Sequence, residues 1–464
     1  MNIVDSAWYK ALPVLLQNAI VTFKGIVFYY IRRSSYFYKL RDILIRNESL
    51  SATEIEQMQL TRLKQHLIYC DKHVPYYHKL FKEYGLNPQT VSSIKDIDCL
   101  PIITKDIVRN NYDTLRAQHT GKWFKTSGFT SGTTSIPLYL DMDRDLIASE
   151  HAFAWRQYRW AGIPERRRMA IIREEIIVPA HQKKPPYWRY DAFTQNLYLS
   201  AFHMSASTIQ DYSTKLFRFN PHVLFTYPSN AYSLALHAKN AGISLKFPAL
   251  KAIITSSEVL YSFQKSLIEE IFGVKVFDWY GSFERVIFIG TCEQGSLHIF
   301  PDYGITELIP VPGETNLFEL VGTGFINKAM PLIRYKSNDM VSLSNTPCSC
   351  GRNFPVVKSI VGRSSDAIIT KDGRTVSDIS SILFKNVEHV TSCQIIQETI
   401  GSIIILLVTG AAYSKNNEAQ FLANLHNMLG DTVEIELKYV DRIPTSKNGK
   451  YCMIISKVKI GQQT

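Results

Sequence analysis

An α/β fold with a smaller domain at its C-terminal end is what the sequence predicts, on three observations. Short apolar runs at 169–172, 222–226, 250–255 and 274–279 are separated by stretches of helical period at 229–240 and 262–272. Strands spaced by helices imply a mostly parallel sheet covered on both faces. The composition is that of a globular chain, with 464 residues, 45% hydrophobic, 20% charged, 23 Gly and 19 Pro, which excludes collagen-like, low-complexity and wholly disordered classes. After Gly362-Arg363 the pattern changes to strands at 394–397, 402–408 and 432–440 around a helix near 418–429, a small α+β unit. At roughly 100–200 residues per domain the length suits two or three domains. The expected division is a helical region 1–115, the rest of a large domain 116–362, and a small domain 363–464.

In chain order, 1–115 reads as mainly helical. Ser51-Ala-Thr-Glu54 has capping-box spacing, and Ile55, Met58, Leu63 and Leu67 recur near helical period. Residues 11–31 are mostly apolar, but Lys24 interrupts them, Gln17 and Asn18 dilute them, and Arg32-Arg33 close them. That makes a poor spanning helix. Nor is it a signal peptide, since Asp5 spoils a basic start and no small-residue cleavage site follows. A helix at about 8–33 lying on a membrane surface, with Trp8, Tyr9, Phe23, Phe28, Tyr29 and Tyr30 at headgroup level, fits better. The alternative is a helix packed on the protein's own body. A Gly/Ser/Thr-rich stretch at 126–137 comes next, then Leu138-Tyr-Leu140, a helix over about 145–160, and the alternating strands and helices.

Lys and Arg (52) outnumber Asp and Glu (41), leaving +11. Such a surplus suits nucleotides, phosphorylated lipids or an anionic surface without choosing among them. Arg166-Arg-Arg168 and Lys183-Lys184 could meet such phosphates or form a solvated basic face. No nucleic-acid-binding module is recognisable. Seven scattered Cys argue against a disulfide framework and for a reducing, cytoplasmic setting.

Four stretches carry chemistry. In Thr130-Ser-Gly-Thr-Thr-Ser-Ile-Pro137, backbone amides and the hydroxyls of Ser131, Thr133 and Thr134 can donate to phosphate oxygens around Gly132. It lacks the Lys of a Walker A loop, and a polar turn is the plainer reading. Asp278-Trp-Tyr-Gly-Ser-Phe-Glu284 turns at Gly281 beyond a strand end, where ligands of open α/β sheets lie; Glu284 there can hold Mg²⁺ or be a solvated acid. Met330-Pro-Leu-Ile-Arg-Tyr-Lys-Ser-Asn-Asp339, with Gly362-Arg363 later, offers an acid for ribose hydroxyls or a surface ion pair. Ile443-Pro-Thr-Ser-Lys-Asn-Gly-Lys450 places a lysine at a loop tip, where it can neutralise developing phosphate charge or simply face solvent.

Together, in this order, the four resemble the adenylate-forming (ANL) superfamily, and most closely its phenylacetate–CoA ligase-like branch with the CapK-type proteins. Ala329-Met-Pro-Leu-Ile-Arg-Tyr335, Cys348-Ser-Cys-Gly-Arg352, Cys292-Glu-Gln-Gly-Ser-Leu-His298, Tyr227-Pro-Ser229 and Ser200-Ala-Phe-His203 carry the closer match, over about residues 50–460. The resemblance implies ATP-dependent activation of a small carboxylic acid to an acyl-adenylate, then transfer to coenzyme A or an amine with release of AMP. It implies a large adenylation domain and a mobile C-terminal lid. Ser131, Gly132, Thr133 and Thr134 would hold the β- and γ-phosphates. Ser257 and Glu258 would line the adenine and α-phosphate side. Tyr280, with Gly281 and Ser282, would sit near adenine, and Glu284 would bind Mg²⁺. Asp339 and Arg363 would hold the ribose, Asp366 would be the hinge, and Lys450 would bridge carboxylate and α-phosphate. His203 and Tyr227 would border the acyl pocket. A surface-polysaccharide or secondary-metabolite setting follows by association only.

The sequence departs from the family pattern at Ser135 and Ile136, where a glycine and a polar residue are usual, and at Phe283. Ser135 and Ile136 are the main support for a different class of reading, a catalytically weak nucleotide-binding scaffold that docks a biosynthetic complex at the membrane. Cys292-x₅-His298 and Cys348-x-Cys350 supply three thiols and an imidazole, the set of a closed structural Zn²⁺ site; the pattern also resembles a metal knuckle of this branch, and reduced, packed cysteines are the alternative.

Overall fold

The computed structural model describes residues 6–118, 126–129, 138–173, 177–179, 182–312, 314–344, 346–363, 368–371, 375–376, 383–384, 387, 389–429, 433–444 and 451–458. The chain forms two compact units, one of Met1–Thr22, Arg166–Val276 and Val361–Thr464, the other of Phe23–Glu165 and Phe277–Ile360.

The N-terminal region is helical: α1 (Ala7–Ala11), α2 (Val14–Arg32), α3 (Ser35–Asn47), α4 (Ala52–His73), α5 (Pro75–Glu83), α6 (Lys105–Asn110) and α7 (Tyr112–Leu115). At the start of α4 the Glu54 carboxylate accepts from the Ser51 amide at 2.8 Å, and the Ser51 hydroxyl accepts from the Glu54 amide. Two amides without an intrahelical acceptor are satisfied reciprocally. Pro75 opens α5 where its missing N–H leaves no bond unmade. The pair β1 (Thr126–Phe129) and β2 (Tyr139–Met142) is antiparallel, and Asp143 caps α8 (Arg144–Trp160) by accepting from the Leu146 amide at 2.7 Å.

The alternation then unfolds as read: β3 (Met169–Arg173), β4 (Trp188–Asp191), β5 (Asn196–Ser200), α9 (Ile209–Phe219), β6 (Val223–Thr226), α10 (Pro228–Asn240), β7 (Ala252–Ser256) and α11 (Ser262–Phe272). β5–β3, β3–β6 and β6–β7 are parallel pairs, with β4 antiparallel at the edge. All five residues of β7 are buried, which is why it reads as an unbroken apolar run. Ile172, Leu224 and Ile253 of the sheet share one core with Leu216, Leu234 and Ile268 of the helices.

α2 covers the free edge of β4. Asn18 accepts from the Tyr190 amide at 2.9 Å, Thr22 accepts from the Ala192 amide at 3.1 Å, and Arg189 donates to the Gln17 side chain. Covering an edge strand removes a template for unwanted pairing. Gln17 and Asn18 are therefore ties to the protein body rather than dilution of an apolar run. By length and composition alone α2 is long and apolar enough to cross a membrane.

From Phe277 the second unit continues without intervening helices: β8 (Val276–Gly281), β9 (Phe288–Thr291), β10 (Leu297–Ile299), β11 (Gly304–Pro310), β12 (Leu317–Gly324), β13 (Tyr335–Leu343) and β14 (Val356–Arg363), in the order β11-β12-β13-β14-β10-β9-β8. The pairings β8–β9, β9–β10, β10–β14, β11–β12 and β12–β13 are antiparallel, so the parallel pairing read from the alternation belongs to the strands before them. A buried ion pair ties this unit together. Arg156 of α8 donates to both oxygens of Asp302 at 2.9 and 2.5 Å and to the Leu44 carbonyl at 2.9 Å, while Asn47 donates to Asp302 at 2.8 Å. Burial alone would raise the Asp302 pKa, but Arg156 and Asn47 outweigh it and hold the carboxyl below its usual range.

The C-terminal stretch is α+β as expected: β15 (Ile368–Ile369), β16 (Thr375–Val376), β17 (Val390–Thr399), β18 (Ser402–Thr409), α12 (Lys415–Leu429), β19 (Glu434–Tyr439) and β20 (Ile454–Ser456). Its four-stranded sheet runs β19-β18-β17-β20, and Ile395, Ile403, Ile405 and Leu407 pack on Phe421 and Leu425 of α12.

Candidate active site

Two tyrosine–carboxylate pairs join β8 and the turn after it to β13. The Tyr280 hydroxyl donates to Asp339 Oδ2 at 2.6 Å, and the Tyr335 hydroxyl donates to Glu284 Oε1 at 2.8 Å. Each segment supplies one tyrosine and, four residues on, one acid, so the two pairs cross-link the segments reciprocally. Burial and the neighbouring Asp339 carboxylate push the Tyr280 phenol well above its usual range, which keeps it a donor. Ser282 lies between Tyr280 and Glu284 in the chain; its buried hydroxyl has no hydrogen-bond partner among the described residues. Tyr335 was quoted in the sequence motif but given no role; only the fold reveals it as the partner of Glu284.

The turn carrying Glu284 rests on a floor of glycines. A Cβ at Gly324 would lie 2.5 Å from the Arg285 carbonyl oxygen, one at Gly304 2.7 Å from the Val286 carbonyl oxygen, and one at Gly322 2.6 Å from the Ile287 side chain. Only glycine allows backbones this close. Arg285 sits at φ +59 and is pinned through its guanidinium to Glu150 of α8, which also accepts from the Tyr303 hydroxyl at 2.5 Å. Glu284 is thus held from both sides of its own residue in the chain.

In the other unit, the carboxyl ends of four neighbouring strands gather a second group. Ser200 ends β5, and its hydroxyl lies 2.7 Å from His203 Nδ1; the His203 ring stacks on Tyr187 with centroids 5.1 Å apart. Arg173 ends β3 and lies over the rings of Phe225 and Tyr227 at 4.4 and 4.5 Å. Its guanidinium donates to the hydroxyls of Ser256 at 2.7 Å and Ser257 at 2.9 Å, where β7 ends and Ser257 turns at φ +71. Glu258 Oε2 accepts from the Ser229 amide at 3.1 Å and Oε1 from the Tyr451 amide at 2.8 Å. Both its oxygens hold backbone, one at the start of α10 and one beside Lys450 in sequence. Arg173 was not singled out in the sequence; its position at a strand end was the available signal. Of the basic runs, Arg168 donates to the Asn220 carbonyl at 2.9 Å, while Lys183 and Lys184 are exposed.

Ser131, Gly132, Thr133, Thr134, Ser135, Ile136, Asp366 and Lys450 lie outside the described residues, as does the side chain of Arg363.

The cysteines converge. Cys292 follows β9, His298 lies in β10, and Cys348 and Cys350 precede β14; their ligand atoms all fall within 4.8 Å of one another. Cys292 Sγ and Cys348 Sγ are 3.6 Å apart, and Cys350 Sγ lies 3.4 Å from His298 Nε2. A tetrahedral zinc at the usual bond lengths would set about 3.8 Å between two thiolates and about 3.6 Å between thiolate and imidazole. His298 Nδ1 lies 3.0 Å from the Phe354 carbonyl, which fixes the tautomer that presents Nε2 as a ligand. Burial pushes the Cys292 thiol up to about 12. At Cys348 burial works the same way, but hydrogen bonds from Ser296 and the Cys350 amide outweigh it and lower the pKa. Gly295 (φ +87) and Gly351 (φ +80) provide the tight turns on either side.

Known proteins resemble this chain in sequence and in fold. The CapK C-terminal domain family model matches residues 368–457. Over 458 residues the chain is 28% identical to Protein CapK of Staphylococcus aureus, covering 97% of this chain and 99% of that protein. It is 25% identical to the phenylacetate-coenzyme A ligase of Thermus thermophilus over 382 residues, 77% of this chain and 81% of the relative. Among solved structures, 2-hydroxyisobutyryl-CoA ligase in the postadenylation state superposes with a TM-score of 0.71 at 20% identity, covering 89% of this chain and 91% of that one, which shows the shared fold. These relatives and the family match support a place for the chain near the phenylacetate–CoA ligase-like, CapK-type branch of the adenylate-forming superfamily, to which it is similar.

Proposed function

We propose that this protein is an AMP-forming ligase that activates a carboxylic acid with ATP and passes the acyl group to coenzyme A, with an amine as the other acceptor class. In the first step a carboxylate oxygen bonds to the α-phosphorus of ATP and pyrophosphate leaves. In the second the thiol sulfur bonds to the acyl carbon, AMP leaves, and the thiol proton passes to solvent. The observation that carries this reading is the crossed pairing of Tyr280 with Asp339 and Tyr335 with Glu284, which fixes one acid within β13 and one just beyond the end of β8. Such preorganised groups are what adenylation needs, because its demand is positioning and charge neutralisation.

In this reading Asp339 accepts from the ribose hydroxyls beside Arg363. Ser131, Thr133, Thr134 and the Gly132 amide donate to the β- and γ-phosphates. Ser257 and Tyr280 flank the nucleotide, and His203 and Tyr227 border the acyl chain. Lys450 neutralises the charge developing at the α-phosphate, and Glu258 holds the residue after it. The small domain from about residue 363 pivots at Asp366. Glu284 and the Ser282 hydroxyl, which has no partner among the described residues, offer the hard oxygen donors that suit Mg²⁺, which would neutralise phosphate charge when bound. Cys292, His298, Cys348 and Cys350 would hold a structural Zn²⁺. The test is acid-dependent pyrophosphate release by Glu284→Gln and Asp339→Asn, each expected to fall about 100-fold. Wild-type rates in both variants would sink the assignment.

The setting we assign is cytoplasmic, in surface-polysaccharide or secondary-metabolite synthesis, with α2 resting on the membrane surface. Its polar side chains Gln17 and Asn18 bind Arg189 and Tyr190 of β4 and Thr22 binds Ala192 just after it, whereas Leu15, Phe23 and Tyr30 are 78, 67 and 62% exposed. No acidic residue lies between Ser6 and Leu40, while Lys10, Lys24, Arg32, Arg33 and Lys39 do, a pattern matched to an anionic bilayer.

A further inference from the structure

We infer that Glu150 is a positioning residue for the candidate metal ligand Glu284: it holds the Arg285 guanidinium against α8 and so keeps that cation off the Glu284 carboxylate. The inference goes beyond the ligase reading but rests on its assignment of Glu284 to Mg²⁺. Glu150, Glu284, Arg285 and Tyr303 all belong to one compact unit. Arg285 follows Glu284 directly and is held at φ +59, a backbone region that strains any residue with a Cβ. Its amide donates to the Ser282 carbonyl at 3.2 Å and closes the turn that carries Glu284.

The Arg285 guanidinium donates to Glu150 Oε2, and the Tyr303 hydroxyl donates to Glu150 Oε1, so both oxygens of this acid are engaged. α8 is fixed at the same place, because Arg156 clamps Asp302, the residue before Tyr303. Glu150 is therefore anchored on a rigid helix. Burial would lower the Arg285 pKa, but Glu150, then Tyr303 and then Glu284 outweigh it and hold it above its usual range. Two carboxylates thus act on one guanidinium, and only one of them forms an ion pair with it. An acid that is to hold a divalent cation is best kept out of such a pair, because Arg is permanently charged and takes carboxylate lone pairs two at a time. Tyr335 makes a weaker demand on Glu284, a neutral hydroxyl on Oε1 at 2.8 Å. Glu150 offers Arg285 an acid of equal charge in a fixed place and leaves Glu284 to the metal.

The experiment measures binding of Mn²⁺, the probe for Mg²⁺, to the full chain with α,β-methylene-ATP, read from the EPR signal of free Mn²⁺. Glu150→Gln keeps the shape of the side chain and an acceptor for Tyr303. It is expected to weaken Mn²⁺ binding about tenfold, the size typical of a residue that supports a ligating group. Adding Arg285→Gln to Glu150→Gln removes the cation as well and should bring Mn²⁺ binding back toward the wild-type value, a coupling that lost packing does not produce. The double variant also decides the matter if Glu150→Gln alone folds poorly, since it leaves no guanidinium without its counter-ion. Glu284→Gln is the control for the ligase reading. If it leaves Mn²⁺ binding unchanged, the assignment of Glu284 to the metal fails and the inference falls with it. If Glu284→Gln weakens binding while Glu150→Gln does not, or if the double variant binds no better than Glu150→Gln, the metal assignment stands and the role of Glu150 is overturned.

Discussion

Four carboxylates of the two candidate groups have three kinds of partner, and their chemistry follows from them. Asp339 and Glu284 each accept a tyrosine hydroxyl, Glu150 is ion-paired to Arg285, and Glu258 holds two backbone amides. Glu258 therefore acts on the chain, and its reach to Tyr451 links it to Lys450. In Glu258→Gln one amide loses an acceptor, a change of about 1–3 kcal/mol. Formation of the acyl-adenylate should slow about tenfold, whereas thioester formation from supplied acyl-adenylate should change less. Equal slowing of both half-reactions would instead mark a general folding defect. Gly324→Ala tests the glycine floor: its Cβ would meet the Arg285 carbonyl at 2.5 Å, so the melting temperature and pyrophosphate release should fall together. None of these partnerships was legible in sequence, because each joins residues tens to hundreds of positions apart. What could be read was residue type at the motif positions.

Elements with a strong period were readable, and those without one were not. The helix Ser262–Phe272 has the bounds its apolar spacing indicates, and β3, β6 and β7 lie within one or two residues of the runs that suggest them. β9 to β14 are short or of mixed polarity; β13, for instance, carries Lys336, Ser337, Asn338 and Asp339 through its middle. Such strands are stabilised by pairing across the ladder, which no local pattern encodes. α2 is the informative case, since its polar residues bind β4 and the turn after it while much of its apolar surface stays exposed. If that face meets a membrane, the protein should co-sediment with vesicles containing anionic lipid and release at high salt. Leu15→Glu with Phe23→Glu should leave it in the supernatant with pyrophosphate release intact. Sedimentation that ignores both lipid charge and these substitutions would contradict the membrane role.

At the scale of the whole molecule, the order of motifs along 464 residues is the signal that points to the superfamily, whereas the placement of those residues depends on segments brought together by the sheet. The Cys/His cluster belongs to this scale, joining the turns before β10 and β14. Purified without chelators, the protein should carry one zinc per chain by elemental analysis. Cys348→Ser with Cys350→Ser should lose it and lower the melting temperature by several degrees, leaving residual adenylation at permissive temperature. Metal-free protein of unchanged stability would instead mean packed, reduced cysteines.

The central claim is acid activation, and carboxylate-dependent release of pyrophosphate and AMP from Mg-ATP measures it directly. The assay takes a panel of aryl, fatty, hydroxy, amino and dicarboxylic acids, with Lys450→Ala as control. The account predicts release with at least one acid, reduced about 100-fold or more by Lys450→Ala. Silence across the panel while ATP still binds, or release indifferent to Lys450→Ala, would contradict it and favour a nucleotide-binding scaffold.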